Sequence, residues 1–261
     1  MTRIKFTVAY DGTGYCGWQK QNHEKRPSIS GTIEIALEKI FGHKIILFAS
    51  GRTDAGVHAL NQVCHFDTTK DLSQRKNWDL SWALRRYLPD SIVVKKVWIA
   101  PKQFHSTISA YKKTYKYLIL NAQRPSPILN RYMGWVRRPI NIDHLNESSQ
   151  FLLGFQDFKS FQSIGTEVKS TTREIFQASW KWKKANVAEF TITGSGFLKQ
   201  MVRNIVGTQL FLEQNSLPPE DIKKIIQLKD RKFAGPAIEP QGLYLLKVYY
   251  PQDLDNKCCE L

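Results

Sequence analysis

Two hydrophobic periods run through this chain, and they mix without regular alternation. Period-2 stretches suited to strands cover residues 3–10, 61–67, 92–99, 106–120, 174–182, 187–193 and 243–250. Period-3.6 stretches suited to helices cover 30–41, where Ile33, Leu37, Ile40 and Phe41 form a stripe, and 73–88, where Leu80, Leu84, Tyr87 and Leu88 do. Further helices are expected over 143–153 and 197–213, and after Pro219 with Ile222, Ile225 and Ile226 turned inward. A doubly wound parallel fold would alternate strand, helix, strand. The mixture seen in both halves predicts instead an α+β fold with mostly antiparallel sheet. A break at 101–104 predicts an N-terminal half, 1–103, and a C-terminal half, 104–250. The polar stretch 251–261, with adjacent Cys258 and Cys259, is expected to be a flexible tail.

The longest apolar run, Ile45-Ile46-Leu47-Phe48-Ala49, reads as a buried strand and is far short of the ~18 residues of a membrane span. The first residues alternate at once and show no apolar core of a signal peptide. Four cysteines without C-x-x-C spacing argue against a zinc cage and a disulfide framework, and fit a reducing cytoplasm. The 38 Lys and Arg against 23 Asp and Glu leave a net charge of +15. An excess of that size points to a polyanion, because each cation that meets a phosphate releases counterions.

Gly51-Arg52-Thr53-Asp54-Ala55-Gly56-Val57-His58 is a glycine-bracketed loop between two strands, a rigid mount for chemistry. It carries one carboxylate, Asp54, two residues after Arg52. Such a pair serves a nucleophile or base kept ionised by a guanidinium, or a plain Asp/Gly turn with a local ion pair. A two-metal nuclease would gather several carboxylates, and none follows before Asp67. His58 has no partner at ligand spacing and reads as a packed residue. Gly12-Thr13-Gly14-Tyr15-Cys16-Gly17 matches G-x-G-x-x-G but is followed by a polar stretch to Pro27 rather than a helix, which speaks against a dinucleotide site. Ser195, between two glycines, reads as a turn. Tyr111-Lys112-Lys113-Thr114-Tyr115-Lys116-Tyr117 interleaves aromatic and basic residues; this suits base stacking beside phosphate contacts, or a core face backed by solvated lysines. Arg203, inside the apolar Met201-Val202-Arg203-Asn204-Ile205-Val206-Gly207, either snorkels or lies buried against an anion, and the second reading is preferred.

Taken in order, these segments resemble the TruA family of tRNA pseudouridine synthases over nearly the whole chain. The 51–58 loop resembles the family's signature, whose Asp is the catalytic nucleophile, here Asp54. Tyr10-Asp11-Gly12 with Tyr15, Gly17-Trp18-Gln19 and Gln21 is similar to its N-terminal motif. Lys113-Thr114-Tyr115-Lys116-Tyr117 resembles the strand of its active-site tyrosine, here Tyr115, and 197–207 the helix of its active-site arginine, here Arg203. The resemblance implies a pseudouridine synthase fold of two ferredoxin-like halves around a central RNA-binding cleft. It also implies a homodimer and cofactor-free, metal-free isomerisation of uridines 38 to 40 in the tRNA anticodon arm. Tyr115, Arg52 and Arg203 would hold the substrate and Asp54. The chain departs from the family pattern at Thr107, where an Arg is usual, at Arg85, where an Asn is, and at Ala237, where a Thr is.

Overall fold

β1 (Thr2–Tyr10) buries Ile4, Phe6 and Val8 completely on one face and is paired with a strand on either side. The structure, a computed structural model, describes residues 1–21, 24–70, 79–165 and 167–261. It divides the chain into two units, Met1–Tyr111 with Leu245–Leu261, and Lys112–Tyr244. The break therefore falls several residues beyond the expected 103/104, and the last strand returns to the first unit.

In the first unit, α1 (Ile29–Phe41) starts where the Ser28 hydroxyl accepts a hydrogen bond from Gly31 N, and stops at left-handed Gly42. β2 (Phe48–Ala49) pairs with β3 (His58–Thr68), which runs antiparallel to β1. α2 (Leu80–Arg85) is capped by the Asp79 carboxylate; the part of the expected 73–88 helix within 71–78 lies outside the described residues. β4 (Ile92–Ala100) is antiparallel to β1 on its other side. Phe41 meets Phe66 edge-on at 5.2 Å, and Phe66 meets Phe6 at 6.2 Å, so α1 lies on the buried face of β1 and β3. Each such side chain contributes about 2–3 kcal/mol of burial.

The run Ile45–Ala49 forms less strand than expected. Ile46 and Phe48 are exposed, and Ile45 N and Leu47 N donate to the carboxylates of Glu38 and Glu34 on α1 rather than to a neighbouring strand.

The second unit opens with β5 (Lys112–Asn121), shorter than the expected 106–120. Residues 105–109 are instead a turn on His105, whose Nδ1 accepts from Thr107 N and Ile108 N while Ser109 N bonds to its carbonyl. β6 (Gly134–Val136), parallel to β5, α3 (Ile142–Gln150), β7 (Gly154–Asp157), β8 (Thr172–Lys184) and β9 (Val187–Gly194) follow. Strand order is β5-β9-β8-β7, with every neighbouring pair antiparallel. α4 (Met201–Gln214) begins later than the expected 197 because Gln200 is left-handed, with φ of 59°. α5 (Asp221–Leu228) buries Ile222, Ile225 and Ile226.

β10 (Leu243–Tyr249) lies beside β3, then α6 (Gln252–Asp255) and β11 (Cys259–Glu260) close the first unit, with β11 pairing to β4. The expected flexible tail is thus built into the sheet. Lys5, on the face of β1 opposite Phe6, explains why. Its ammonium lies 4.9–5.2 Å from the ring centroids of Trp98, Phe104 and Tyr250 and 2.6 Å from Asp255 Oδ1, so the tail supplies the counter-charge for a buried cation. The architecture is α+β with a mostly antiparallel sheet, as the mixed periodicity predicts. Among the described residues no helix is long and apolar enough to cross a membrane.

Candidate active site

The loop between β2 and β3 is fastened from both sides. Ser50 N donates to Val63 O, the Ser50 hydroxyl to Gln62 Oε1, and Gln62 Nε2 to Gly51 O at 2.7 Å. Gln62 is wholly buried and shares the inward face of β3 with Cys64 and Phe66. A polar side chain in an apolar alternation needs partners at hand, and the loop provides them. Farther on, Val57 N bonds to Asp54 O and Gly56 takes a φ of 76°, which turns the chain back into β3.

The G-x-G-x-x-G segment braces this loop. Trp18 N donates to Thr53 O at 3.0 Å, and the hydroxyls of Tyr10 and Thr53 share a buried hydrogen bond of 2.8 Å. The fit leaves no room for side chains at two glycines. A Cβ on Gly12 would meet Val57 O at 2.1 Å, and one on Gly17, whose φ is 105°, would meet Thr53 O at 2.7 Å. His58 is buried, and its Nδ1 accepts from Gly12 N at 3.1 Å beside the Asp11 carboxylate at 3.2 Å. The motif therefore fixes backbone around Asp54, and α1 begins only at Ile29. Asp54 itself is half-buried and Arg52 is exposed.

In the second unit, Tyr115 of β5 is nearly buried, with the Phe197 ring edge-on to it at 5.0 Å and 78°. Arg203 stands in the first turn of α4, its Nε donating to Ile238 O at 2.7 Å while Ile238 N donates back to Arg203 O. The helix and the 235–239 segment lie backbone to backbone, since a Cβ on Gly207 would meet Pro236 O at 1.8 Å. Tyr117, on the same strand face as Tyr115, gives its hydroxyl to Glu239 O at 2.7 Å. Burial raises that phenol's pKa strongly, and the nearby Arg203 guanidinium offsets part of the rise. Ser195 is a turn residue, as expected, bonded through N and Oγ to the backbone of Glu174. Arg52 and Asp54 thus belong to the first unit, Tyr115 and Arg203 to the second. Among the described residues no group of three or more His, Cys, Asp or Glu is placed to hold a metal ion.

Several bracing residues escaped the sequence reading. Gln62 carried a usable signal, being a polar residue at an inward position of a period-2 strand. Gly12 and Gly17 were visible as a motif, although their use against the 53–57 backbone was not.

A half-buried carboxylate on a doubly braced loop, in an α+β chain with a net charge of +15, fits a nucleic-acid-modifying enzyme. The sequence profile of the tRNA pseudouridine synthase family matches residues 7–107 and 149–251. The chain belongs to that family and is an isomerase. It is 65% identical over 260 residues to a protein named tRNA pseudouridine synthase A from Bdellovibrio bacteriovorus, covering 100% of this chain and 99% of that one. Proteins of the same name from Caldicellulosiruptor bescii and Maridesulfovibrio salexigens are 41% and 40% identical, each over 96% of this chain and 100% and 91% of theirs.

Proposed function

We propose that this protein converts uridine to pseudouridine at positions 38 to 40 of the tRNA anticodon arm, in the cytoplasm, as a homodimer and without cofactor. Asp54 is the catalytic residue in this reading, and Arg52, Tyr115 and Arg203 bind the substrate. One observation carries it: Asp54 is the carboxylate of a loop whose backbone is pinned at Gly51, Thr53 and Val57, so its position is set before substrate arrives. Full-length similarity to proteins named tRNA pseudouridine synthase A supports the tRNA substrate.

The reaction breaks N1–C1′, turns the uracil, and joins C5 to C1′; the hydrogen on C5 leaves as a proton and N1 gains one. No electrons enter or leave. An ionised Asp54 serves by adding to C1′, by adding to C6, or by taking a ribose proton, and all three need its negative charge. The target uridine must leave its stack, which costs a few kcal/mol; Tyr115 and cationic contacts to phosphate would offset that.

Tritium released from tRNA labelled at C5 of uridine measures the reaction directly. Asp54→Asn keeps the size and removes the charge, so it should bind tRNA within roughly tenfold of the parent, about 1.4 kcal/mol, and release no tritium. Continued release by the purified variant would remove Asp54 from the chemistry. A parent that binds tRNA and releases nothing would leave a binding protein.

A further inference from the structure

Three large apolar side chains stand out of the first unit around the start of the Asp54 loop. Ile45 and Leu47 turn inward, so Ile46 and Phe48 share the outward face of the stretch that leads into that loop. Ile108 joins them from the turn on His105. The Thr107 hydroxyl donates to Ala49 O, Ile108 N donates to His105 Nδ1, and the His105 ring lies 5.3 Å from that of Phe48. Ile108 is 81% exposed and Phe48 42%. Lone apolar residues on a surface are ordinary, whereas neighbouring ones mark a contact.

Phe48 is also held in one orientation. β2 pairs it with His65, and the two rings stack at 4.9 Å and 20°. His65 is almost wholly buried, so it covers the inner face of the Phe48 ring, and the exposed area belongs to the outer face and edge. Burial brings the His65 pKa down to about 4, so two uncharged rings make up the stack near pH 7.

We propose that the outer face of Phe48 stacks on an unpaired base of the tRNA anticodon loop close to the target uridine, with Ile46 and Ile108 against its edges. The proposal rests on the tRNA-modifying reading above and adds a base-holding surface to it.

A base suits this surface in size and chemistry. Every base has a π-face that stacks on an aromatic ring whatever the sequence. The ring is already ordered by His65, so the stack immobilises no further protein side chain. Three side chains are too few for a protein partner, which needs roughly 800 Å² on each side. Six residues separate Phe48 from Asp54, about 20 Å at full extension and less through a loop pinned at Gly51. When the target uridine leaves its stack, a neighbouring base loses a partner, and Phe48 offers another within that reach.

Binding of tRNA transcripts that carry 2-aminopurine at each anticodon-loop position in turn tests this, with tritium release and melting temperature measured on the same preparations. At one position the parent and Phe48→Tyr should quench the probe, and Phe48→Leu should not. Phe48→Leu should bind unmodified tRNA at least roughly fivefold more weakly, with the salt slope unchanged because no cation is lost. Phe48→Tyr should bind like the parent. Parental quenching and affinity in Phe48→Leu would overturn the stack, as would an equal loss in Phe48→Tyr. A lower melting temperature in Phe48→Leu with parental affinity would leave Phe48 as a cover for His65 only. A weaker dimer with parental affinity, read by sedimentation, would give the surface to a second copy of the chain. Ile108→Ser lies outside the core and decides the matter should Phe48→Leu fail to fold; it should reduce quenching at the same nucleotide, and parental quenching would overturn the proposal. A parent that neither binds tRNA nor releases tritium sinks the underlying reading instead.

Discussion

The Tyr10 hydroxyl reaches Thr53 Oγ1 at 2.8 Å, which ties the end of β1 to the residue before Asp54. Both partners are buried, so water cannot replace the bond. Tyr10→Phe should cost about 1–2 kcal/mol of stability and let the loop drift. The expected kinetic signature is a fall in kcat of tenfold or more, with KM changed less than threefold, since the substrate-holding groups stay in place. Single-turnover tritium release reads it, and a parental kcat would show that Thr53 needs no anchor.

Gly17→Ala attacks the same loop through backbone. Its φ of 105° is strained for any side chain, and the added Cβ would sit 2.7 Å from Thr53 O. The variant is expected to lose several kcal/mol of stability or to push residues 53–55 aside. Activity should fall by more than a hundredfold even in preparations that remain folded by circular dichroism. Normal turnover in a folded Gly17→Ala would contradict the close approach.

Stability should fall as pH drops from 6.5 towards 4, because of His65. This ring is 1% exposed, stacks on Phe48 at 4.9 Å, and its Nδ1 accepts from Ser106 N at 3.2 Å with the Ser106 hydroxyl 2.8 Å away. Burial, with the neighbouring His105 and Arg3 adding to it, pushes its pKa down to about 4. The unfolded chain binds the proton near 6.5, so acid favours unfolding across that window, by about 1–3 kcal/mol. His65→Gln should flatten the decline. Melting curves at pH 7.5, 6, 5 and 4 check it, and an unchanged slope in the variant would assign the effect to another group.

Thr107 stands in the turn on His105, and its hydroxyl donates to Ala49 O at 2.6 Å, next to the Asp54 loop. It is exposed, so a longer side chain has room. Thr107→Arg adds a guanidinium to that surface and should tighten tRNA binding by roughly three- to tenfold, up to about 1.4 kcal/mol. Thr107→Val, which only removes the hydroxyl bond, should not. Equal affinities for both variants would make the position neutral.

Periodicity located most of the elements, because burial on one face imposes the pattern wherever a strand or helix covers a core. It misplaced those whose backbone is satisfied by side chains. Residues 45–47 look like a buried strand, yet Glu34 and Glu38 take their amide hydrogens. Residues 106–109 continue the alternation of β5, yet the His105 ring bends them into a turn. The 251–261 stretch has no apolar pattern of its own and is ordered by pairing of β11 with β4 and by the distant cation Lys5, which no local reading can match to Asp255. Asp54, Tyr115 and Arg203 stood out as polar or aromatic residues in unusual company.

The return of β10 to the first unit has a consequence for how the protein is made. Nearly all of the second unit, from Lys112 to Gly242, lies between β4 and β10. During synthesis the second unit has all of its strands and helices before the ribosome releases β10, while β3 still waits for its neighbour. Lys5, among the first residues made, meets Asp255 among the last. The unit that carries Asp54 is begun first and completed last.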